Sequence, residues 1–375
     1  MNGITRKKRV LTIIGTRPEG IKLAPVVLEM QRRNDVFDSK VCVTAQHREM
    51  LDQPLALFGV KPDYDLDIMS KGQTLAQVTS RAIEGLDHVV SKEKPDVIIV
   101  QGDTTTAFCG ALIGYYHKIR VGHVEAGLRT GNKYSPFPEE VNRCLIGNIA
   151  DYHFAPTALA KGALLGAGVC ESTVYVTGNT VIDALLWVKD RVRKSIPDLP
   201  EGLMERTKGG RTVLVTGHRR ESFGEGFNNI CTAIREVAEE FKDVSFIYPV
   251  HLNPNVREPV NRILGNHPRL HLIEPLSYAP FVWLMNQCSI VLTDSGGVQE
   301  EAPSLGKPVL VMRETTERPE GISAGNAILV GAQKDGIVSN LRQLLTDNVK
   351  YEEMTAVNNP YGDGMAAQRI VDILR

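Results

Sequence analysis

Short apolar runs alternate along the chain with longer stretches whose apolar residues recur at helical spacing. The first run, Val10 to Ile14, ends at Gly15, and Ile21 to Arg33 follows as a helix. Lys40 to Thr44 reads as the next strand, with a helical patch from Met50 to Phe58 after it. Lys61 to Met69 is an acidic, irregular connection, and an amphipathic stretch covers about Thr74 to Val90. Val97 to Val100 is wholly apolar, as suits a strand covered on both faces. A buried helix over about Thr104 to Tyr116 separates it from the run Ile119 to Val124, the spacing of a crossover through one helix. Tyr152 to Ala155 and Thr173 to Val176 look like later strands. This order predicts a parallel sheet with helices on both sides.

The rhythm weakens after Trp187. Lys189 to Gly210 is charged and carries Pro197, Pro200, Gly209 and Gly210, which marks a domain junction. The pattern then restarts with strands at Thr212–Thr216, Val244–Tyr248, Leu270–Ile273, Ser289–Thr293 and Pro308–Met312. Helices fall at Phe227–Phe241, Ala279–Cys288 and Val298–Leu305. The last forty or so residues are mostly helical, broken at Asn358 to Gly362. The expectation is an α/β chain of two similar open, doubly wound domains, 1–185 and 205–360, with a cleft between them.

A length of 375 residues agrees with two domains. The 43 Lys and Arg nearly cancel the 44 Asp and Glu, which argues against nucleic-acid binding through a bulk basic surface. No segment approaches the roughly 20 apolar residues that cross a bilayer, so no membrane partner is expected. The basic cluster Arg6 to Arg9 precedes too short an apolar run for a signal peptide, and the expected compartment is the cytoplasm. The six cysteines are scattered, without a C-x-x-C, and read as small hydrophobes rather than as disulfides or metal ligands.

Ligands of open parallel sheets bind beyond the carboxyl ends of the strands. Charged residues collect at those ends, while the strands are nearly free of charge. Arg17, Glu19 and Lys22 follow the first run, Asp103 follows Val97–Val100, and Glu125 and Glu139 follow Ile119–Val124. In the second half, His218, Arg219 and Glu221 follow Thr216, and His251 follows Tyr248. Asp294-Ser295-Gly296-Gly297, with Glu300 and Glu301, follows Thr293, and Arg313 follows Met312. Each also has a plainer reading. Asp103 before three threonines fits a helix N-cap. Glu125 and Glu139 fit ion pairs with Arg129 or Arg143, His218 a surface histidine, and His251 a turn. Ser295-Gly296-Gly297 is the most specific. A glycine-rich turn at a helix start offers backbone N–H groups and a positive dipole end to a phosphate or pyrophosphate. Glu301, further along, suits sugar hydroxyls.

A P-loop and H-E-x-x-H are absent from the sequence. Gly362 to Ala367 spells G-x-G-x-x-A after a polar turn rather than a strand, which does not fit a dinucleotide fingerprint. His123-x-Glu125 lacks the P-C-x-x-C of zinc deaminases.

The ordered motifs Gly15-Thr16-Arg17-Pro18-Glu19, Gln101 to Thr106, His123 to Arg129 and Pro136 to Glu140 resemble one family. So do Gly178-Asn179-Thr180, His218 to Glu221, Thr293 to Pro303, Arg313 to Gly321 and Asn359 to Gly362. The family is that of the non-hydrolysing UDP-N-acetylglucosamine 2-epimerases, and the resemblance covers nearly the whole chain. It implies a GT-B-like fold of two Rossmann-like domains, with a C-terminal helix, 361–375, packing back onto the first. It implies a homodimer that interconverts UDP-GlcNAc and UDP-ManNAc for surface polysaccharide synthesis, without metal or redox cofactor. Asp103, Glu125 and Glu139 match the family's acidic catalytic residues, and His218 its important histidine. Arg17, Lys22, Arg219, His251, Ser295, Gly296, Gly297, Glu301 and Arg313 are then expected to contact substrate, and cleft closure to shield the reaction. Gln46, His47 and Glu221 match a regulatory second UDP-GlcNAc site of some members. Glu49 and Gly72 stand where relatives can carry glutamine and arginine, so weakened regulation is expected. A hydrolysing epimerase and a GT-B glycosyltransferase share much of this pattern, and the completeness of the motif set favours the non-hydrolysing enzyme.

Overall fold

In the computed structural model, which describes residues 6–44, 48–70, 72–208 and 210–375, the apolar runs become parallel strands. The first unit comprises Met1–Ala184 and Tyr361–Arg375. It contains β1 (Lys8–Ile14), α1 (Arg17–Arg32), β2 (Phe37–Val43), α2 (Arg48–Phe58), β3 (Tyr64–Asp65), α3 (Leu75–Glu93) and β4 (Val97–Gln101). There follow α4 (Thr105–Tyr116), β5 (Arg120–Val124), α5 (Glu139–Ile149), β6 (Tyr152–Ala155), α6 (Ala158–Gly166), β7 (Val174–Val176) and the start of α7 (Thr180–Lys194). The sheet order is β3-β2-β1-β4-β5-β6-β7, and every pairing is parallel.

β4 is buried at all five residues, because helices cover both faces of the sheet. Chain order reverses between β1 and β4, which register Val10 against Val97. The turns after these strands need glycine. A Cβ at Gly15 would lie 2.3 Å from Thr106 Oγ1, and Gly102 has φ +70°.

The second unit is Leu185–Pro360. α7 runs on to Lys194, into the stretch read as a junction, because Val188 and Val192 are buried along it. Next come α8 (Leu203–Arg206), β8 (Arg211–Thr216), α9 (Glu225–Glu240), β9 (Val244–Pro249), α10 (Pro254–Leu264), β10 (Leu270–Ile273) and α11 (Tyr278–Gln287). β11 (Ile290–Thr293), α12 (Gly296–Glu301), β12 (Val309–Val311), α13 (Pro319–Ala324), β13 (Ala327–Leu329), α14 (Lys334–Thr346) and α15 (Asn348–Ala356) complete it. Its sheet order is β10-β9-β8-β11-β12-β13, again parallel, with the reversal between β8 and β11. One core cluster joins this sheet to α9, α10 and α14 through Phe227, Phe246, Val260 and Leu341.

The chain returns to the first unit as α16 (Ala366–Leu374). Ala366, Ala367, Ile370, Val371 and Leu374 form its buried stripe. The Asp183 carboxylate accepts from the backbone N–H groups of Ala366 (3.2 Å) and Ala367 (2.8 Å) at its start. Lys8 Nζ donates to the Leu374 carbonyl near its end (2.6 Å). The fold is α/β and GT-B-like, each unit a doubly wound parallel sheet. Among the described residues no helix is long and apolar enough to cross a membrane.

Candidate active site

Each sheet brings charged side chains to the carboxyl ends of the strands flanking its reversal point, where open α/β sheets place ligands. In the first unit these are the turns after β1 and β4, joined by the end of β5. Asp103 follows Gly102 in the turn after β4. Its carboxylate pairs with Arg143 Nη2, and its carbonyl accepts from Asn142 Nδ2 at 2.9 Å. Burial raises the Asp103 carboxyl above its ordinary range. Arg143 pulls against that shift, and the negative Glu125 adds to it.

Glu125 directly follows β5 with φ +62°, a left-handed backbone that costs a non-glycine residue about 1–2 kcal/mol. Its side chain is 3% exposed, accepts from Gln101 Nε2 and lies 2.5 Å from Lys22 Nζ. Lys22 is therefore engaged with a carboxylate here, and Arg17 stands half-buried at the first residue of α1. Glu139 is half-buried at the first residue of α5 and makes no ion pair among the described residues. Arg143, one plainer partner for it, instead holds Asp103 and Glu140. Glu139 is thus left available to a ligand, while Asp103 and Glu125 are held in place.

His123 lies one alternation before Glu125 on β5 and is 1% exposed. Its Nε2 donates to the Gly102 carbonyl at 2.7 Å, so the proton sits on Nε2 and the buried Nδ1 has no partner. Burial lowers its pKa to about 3, and it is neutral at any physiological pH.

In the second unit the turn after β8 and the turn after β11 meet at Asp294, which is fully buried. Its Oδ2 accepts from the backbone N–H groups of His218 (2.7 Å) and Arg219 (2.8 Å). Its Oδ1 lies 3.3 Å from His218 Nδ1, close to the ring but not aligned for a hydrogen bond. Burial alone would raise Asp294; the His218 ring and these N–H groups outweigh it and hold the carboxyl below its ordinary range. The His218 and His251 rings stack at 5.5 Å between centroids, and burial beside His218 lowers the pKa of the exposed His251.

Ser295 is the N-cap of α12, and its hydroxyl takes no protein partner among the described residues. Behind it the backbone of Gly297 has nothing within 4 Å of a Cβ position, and Gly296 meets only Arg318. That bare helix start suits an anionic group. Glu301 is buried and accepts from Tyr278 Oη at 2.6 Å. Arg313 Nε donates to Glu221 Oε1 at 2.7 Å, so these two residues form a pair of their own. Gln46 and His47 lie outside the described residues. Gly72 is exposed with φ +78°.

The strand-end rule reached Asp103, Glu125, His218 and Ser295, but it did not assign the groups that hold them. Gln101, Lys22 and Arg143 fix the first-unit carboxylates, and Asp294 fixes His218. Asp294 had a visible signal, a lone acid directly after an apolar strand.

Comparison with known proteins agrees with this arrangement. A family model described as UDP-N-acetylglucosamine 2-epimerase matches residues 28–375. The chain is 57% identical to a UDP-N-acetylglucosamine 2-epimerase of Yersinia pestis over 98% of both chains. It is 55% identical to that of Escherichia coli K12, again over 98% of both. The crystal structure of UDP-GlcNAc 2-epimerase from Neisseria meningitidis bound to UDP-GlcNAc superposes with a TM-score of 0.88. That protein is 49% identical, and the match covers 98% of this chain and 99% of the other. With the switch-point carboxylates, the His218–Asp294 pair and matches over nearly its whole length, the chain belongs to the UDP-N-acetylglucosamine 2-epimerase family.

Proposed function

We propose that the protein interconverts UDP-GlcNAc and UDP-ManNAc without net hydrolysis, by eliminating and re-adding UDP. Carbon 2 of the sugar is not next to a carbonyl, so its proton is poorly acidic and simple abstraction is slow. Elimination avoids that. A base takes the carbon 2 proton, the C–H electron pair becomes the C1–C2 double bond, and the C1–O bonding pair leaves with UDP. The product is 2-acetamidoglucal beside bound UDP. Re-addition of the diphosphate oxygen to carbon 1, with protonation of carbon 2 on the opposite face, gives the epimer.

The observation that carries this reading is the division of charge. The first unit offers three carboxyl groups at its strand ends, one raised by burial (Asp103) and one without an ion pair among the described residues (Glu139). The second offers a glycine helix start beside His218 and Arg219. Asp103 and Glu139 carry the proton traffic, Asp103 because burial raises its carboxyl toward the range where proton exchange is efficient. Glu125 orients them and faces positive charge developing at carbon 1, with Lys22 holding it. Arg17 meets the substrate from the start of α1. Ser295, Gly296 and Gly297 receive the departing diphosphate, with His218, Arg219 and His251, and Glu301 takes the ribose hydroxyls. Arg313 lies near the same ligand, and no metal or redox cofactor has a part. The same reading makes the protein a cytoplasmic homodimer in surface polysaccharide synthesis, and sedimentation tests the oligomer.

The test is NMR of UDP-GlcNAc with the purified protein in heavy water. UDP-ManNAc deuterated at carbon 2, with little free UDP, is the expected result. Accumulating UDP and free ManNAc would identify a hydrolysing enzyme instead. Asp103→Asn should abolish turnover and leave UDP affinity within a few-fold of wild type; surviving activity would remove Asp103 from the mechanism.

A further inference from the structure

Glu19 is the most buried acidic side chain of the first unit among the described residues, at 1% exposure, and the chemistry above gives it no part. Its Oε2 accepts from the backbone N–H groups of Gly15 (3.0 Å) and Thr16 (2.6 Å). Its Oε1 accepts from the hydroxyl of Thr104 at 2.7 Å. The first two bonds stay within the turn from β1 into α1. The third crosses the reversal point of the sheet to the turn after β4, where Thr104 directly follows Asp103. Thr104 is held from its other side as well, its Oγ1 accepting from Ala107 N–H at 3.0 Å.

Capping α1 would need only the local bonds, and Glu19 makes the long one too. It does so without an ion-pair partner among the described residues, and burial pushes its carboxyl up to about 7. A buried carboxyl without a countercharge is costly, so its place in the fold calls for a purpose beyond filling space.

We infer that Glu19 is a positioning residue for epimerisation, setting Asp103 at the sugar by tying the Thr104 turn to the Gly15–Arg17 loop. The inference rests on the function proposed above. Asp103 is then restrained twice, from α5 by Arg143 and Asn142 and from α1 through Thr104. Misplacing a reacting group by about 1 Å costs on the order of a hundredfold in rate, which is what loss of one restraint would do.

The experiment compares wild type, Glu19→Ala and Glu19→Gln in the heavy-water assay, with rates normalised to sites counted by UDP binding. Glu19→Ala should lower kcat roughly a hundredfold while KM stays within about threefold. Glu19→Gln should recover kcat to within about fivefold of wild type, because an amide can accept from Gly15 and Thr16 and donate to Thr104. Near-normal kcat per UDP site in Glu19→Ala would overturn the inference. So would a Gln variant no better than Ala, since charge rather than hydrogen bonding would then be what matters. Should Glu19→Ala not fold, Thr104→Val, which leaves the Gly15 and Thr16 bonds intact, must show the same loss of kcat, and normal kcat there overturns the inference equally. An inactive wild type would sink the epimerase reading first and this inference with it, an outcome visible before any variant is compared.

Discussion

Asp294 shows how one buried side chain can organise a candidate site residue. Its Oδ2 collects two backbone N–H groups and its Oδ1 faces the His218 ring, so the imidazole and the turn that carries it share one anchor. Asp294→Asn keeps the volume and removes the charge. We expect kcat to fall at least tenfold with UDP affinity little changed, read by the heavy-water assay and a UDP titration. Glu19 gives a second prediction, on stability. Its folded pKa of about 7 lies above the ordinary carboxyl value of 4.5. Between those values the folded protein binds more protons at Glu19 than the unfolded chain, so this group's contribution to stability falls as pH rises through that window. Glu19→Gln removes the slope. The variant should therefore gain on wild type between pH 5 and pH 8, by on the order of 2–3 kcal/mol in denaturant unfolding. At this scale Asp103, Glu125 and His218 were legible because each stands one or two residues beyond the end of an apolar strand. Glu19 and Gln101 were not assigned roles, because their meaning lies in partners 85 and 24 residues away.

At the scale of elements, the strands with four or more apolar residues could be read from the pattern, and so could the long amphipathic helices. β3 is only two residues long, too short for any alternation to register, whereas β13 is as long as β7 and β12 and lies in the apolar run Ala327 to Val330, just ahead of the stretch read as mostly helical. α5 escaped for a different reason. Its buried face carries Glu140, Asn142 and Arg143, so the apolar stripe that reveals a helix is replaced by the polar network that steadies Asp103. The features that hide α5 from a hydrophobicity pattern are those that make it useful. α12 yields the clearest prediction for an element. A methyl at Gly297 meets nothing within 4 Å, and alanine is the better helix former. Gly297→Ala should leave the melting temperature equal or slightly higher. If this helix start receives the diphosphate, UDP affinity should drop tenfold or more by calorimetry; unchanged affinity would place the diphosphate elsewhere.

For the whole molecule, the repeat of strand and helix was enough to announce two doubly wound sheets. The exact course of the chain between them was less legible. α7 continues into the charged stretch that looks like a linker, because charges on an exposed helical face resemble those of a loop. The return of α16 to the first unit depends on Asp183, whose carboxyl burial raises to about 6 while two N–H groups at the start of α16 pull it back down. Asp183→Ala removes both acceptors and should cost about 1–2 kcal/mol. The C-terminal segment should then be cut by protease earlier than any other part of the variant, and equal protection of both proteins would show that the apolar stripe suffices.

That return has a consequence for how the protein is made. Residues 361–375 belong to the first unit, but roughly 175 residues of the second unit are synthesised before them. At about 5–20 residues per second, a ribosome takes on the order of 10–35 s to cover that distance. During that time the nascent first unit lacks the helix that packs against α1, while the second unit emerges as one uninterrupted piece. The later-made half can therefore close before the earlier one, and the apolar surface awaiting α16 is where a chaperone would find the newborn chain.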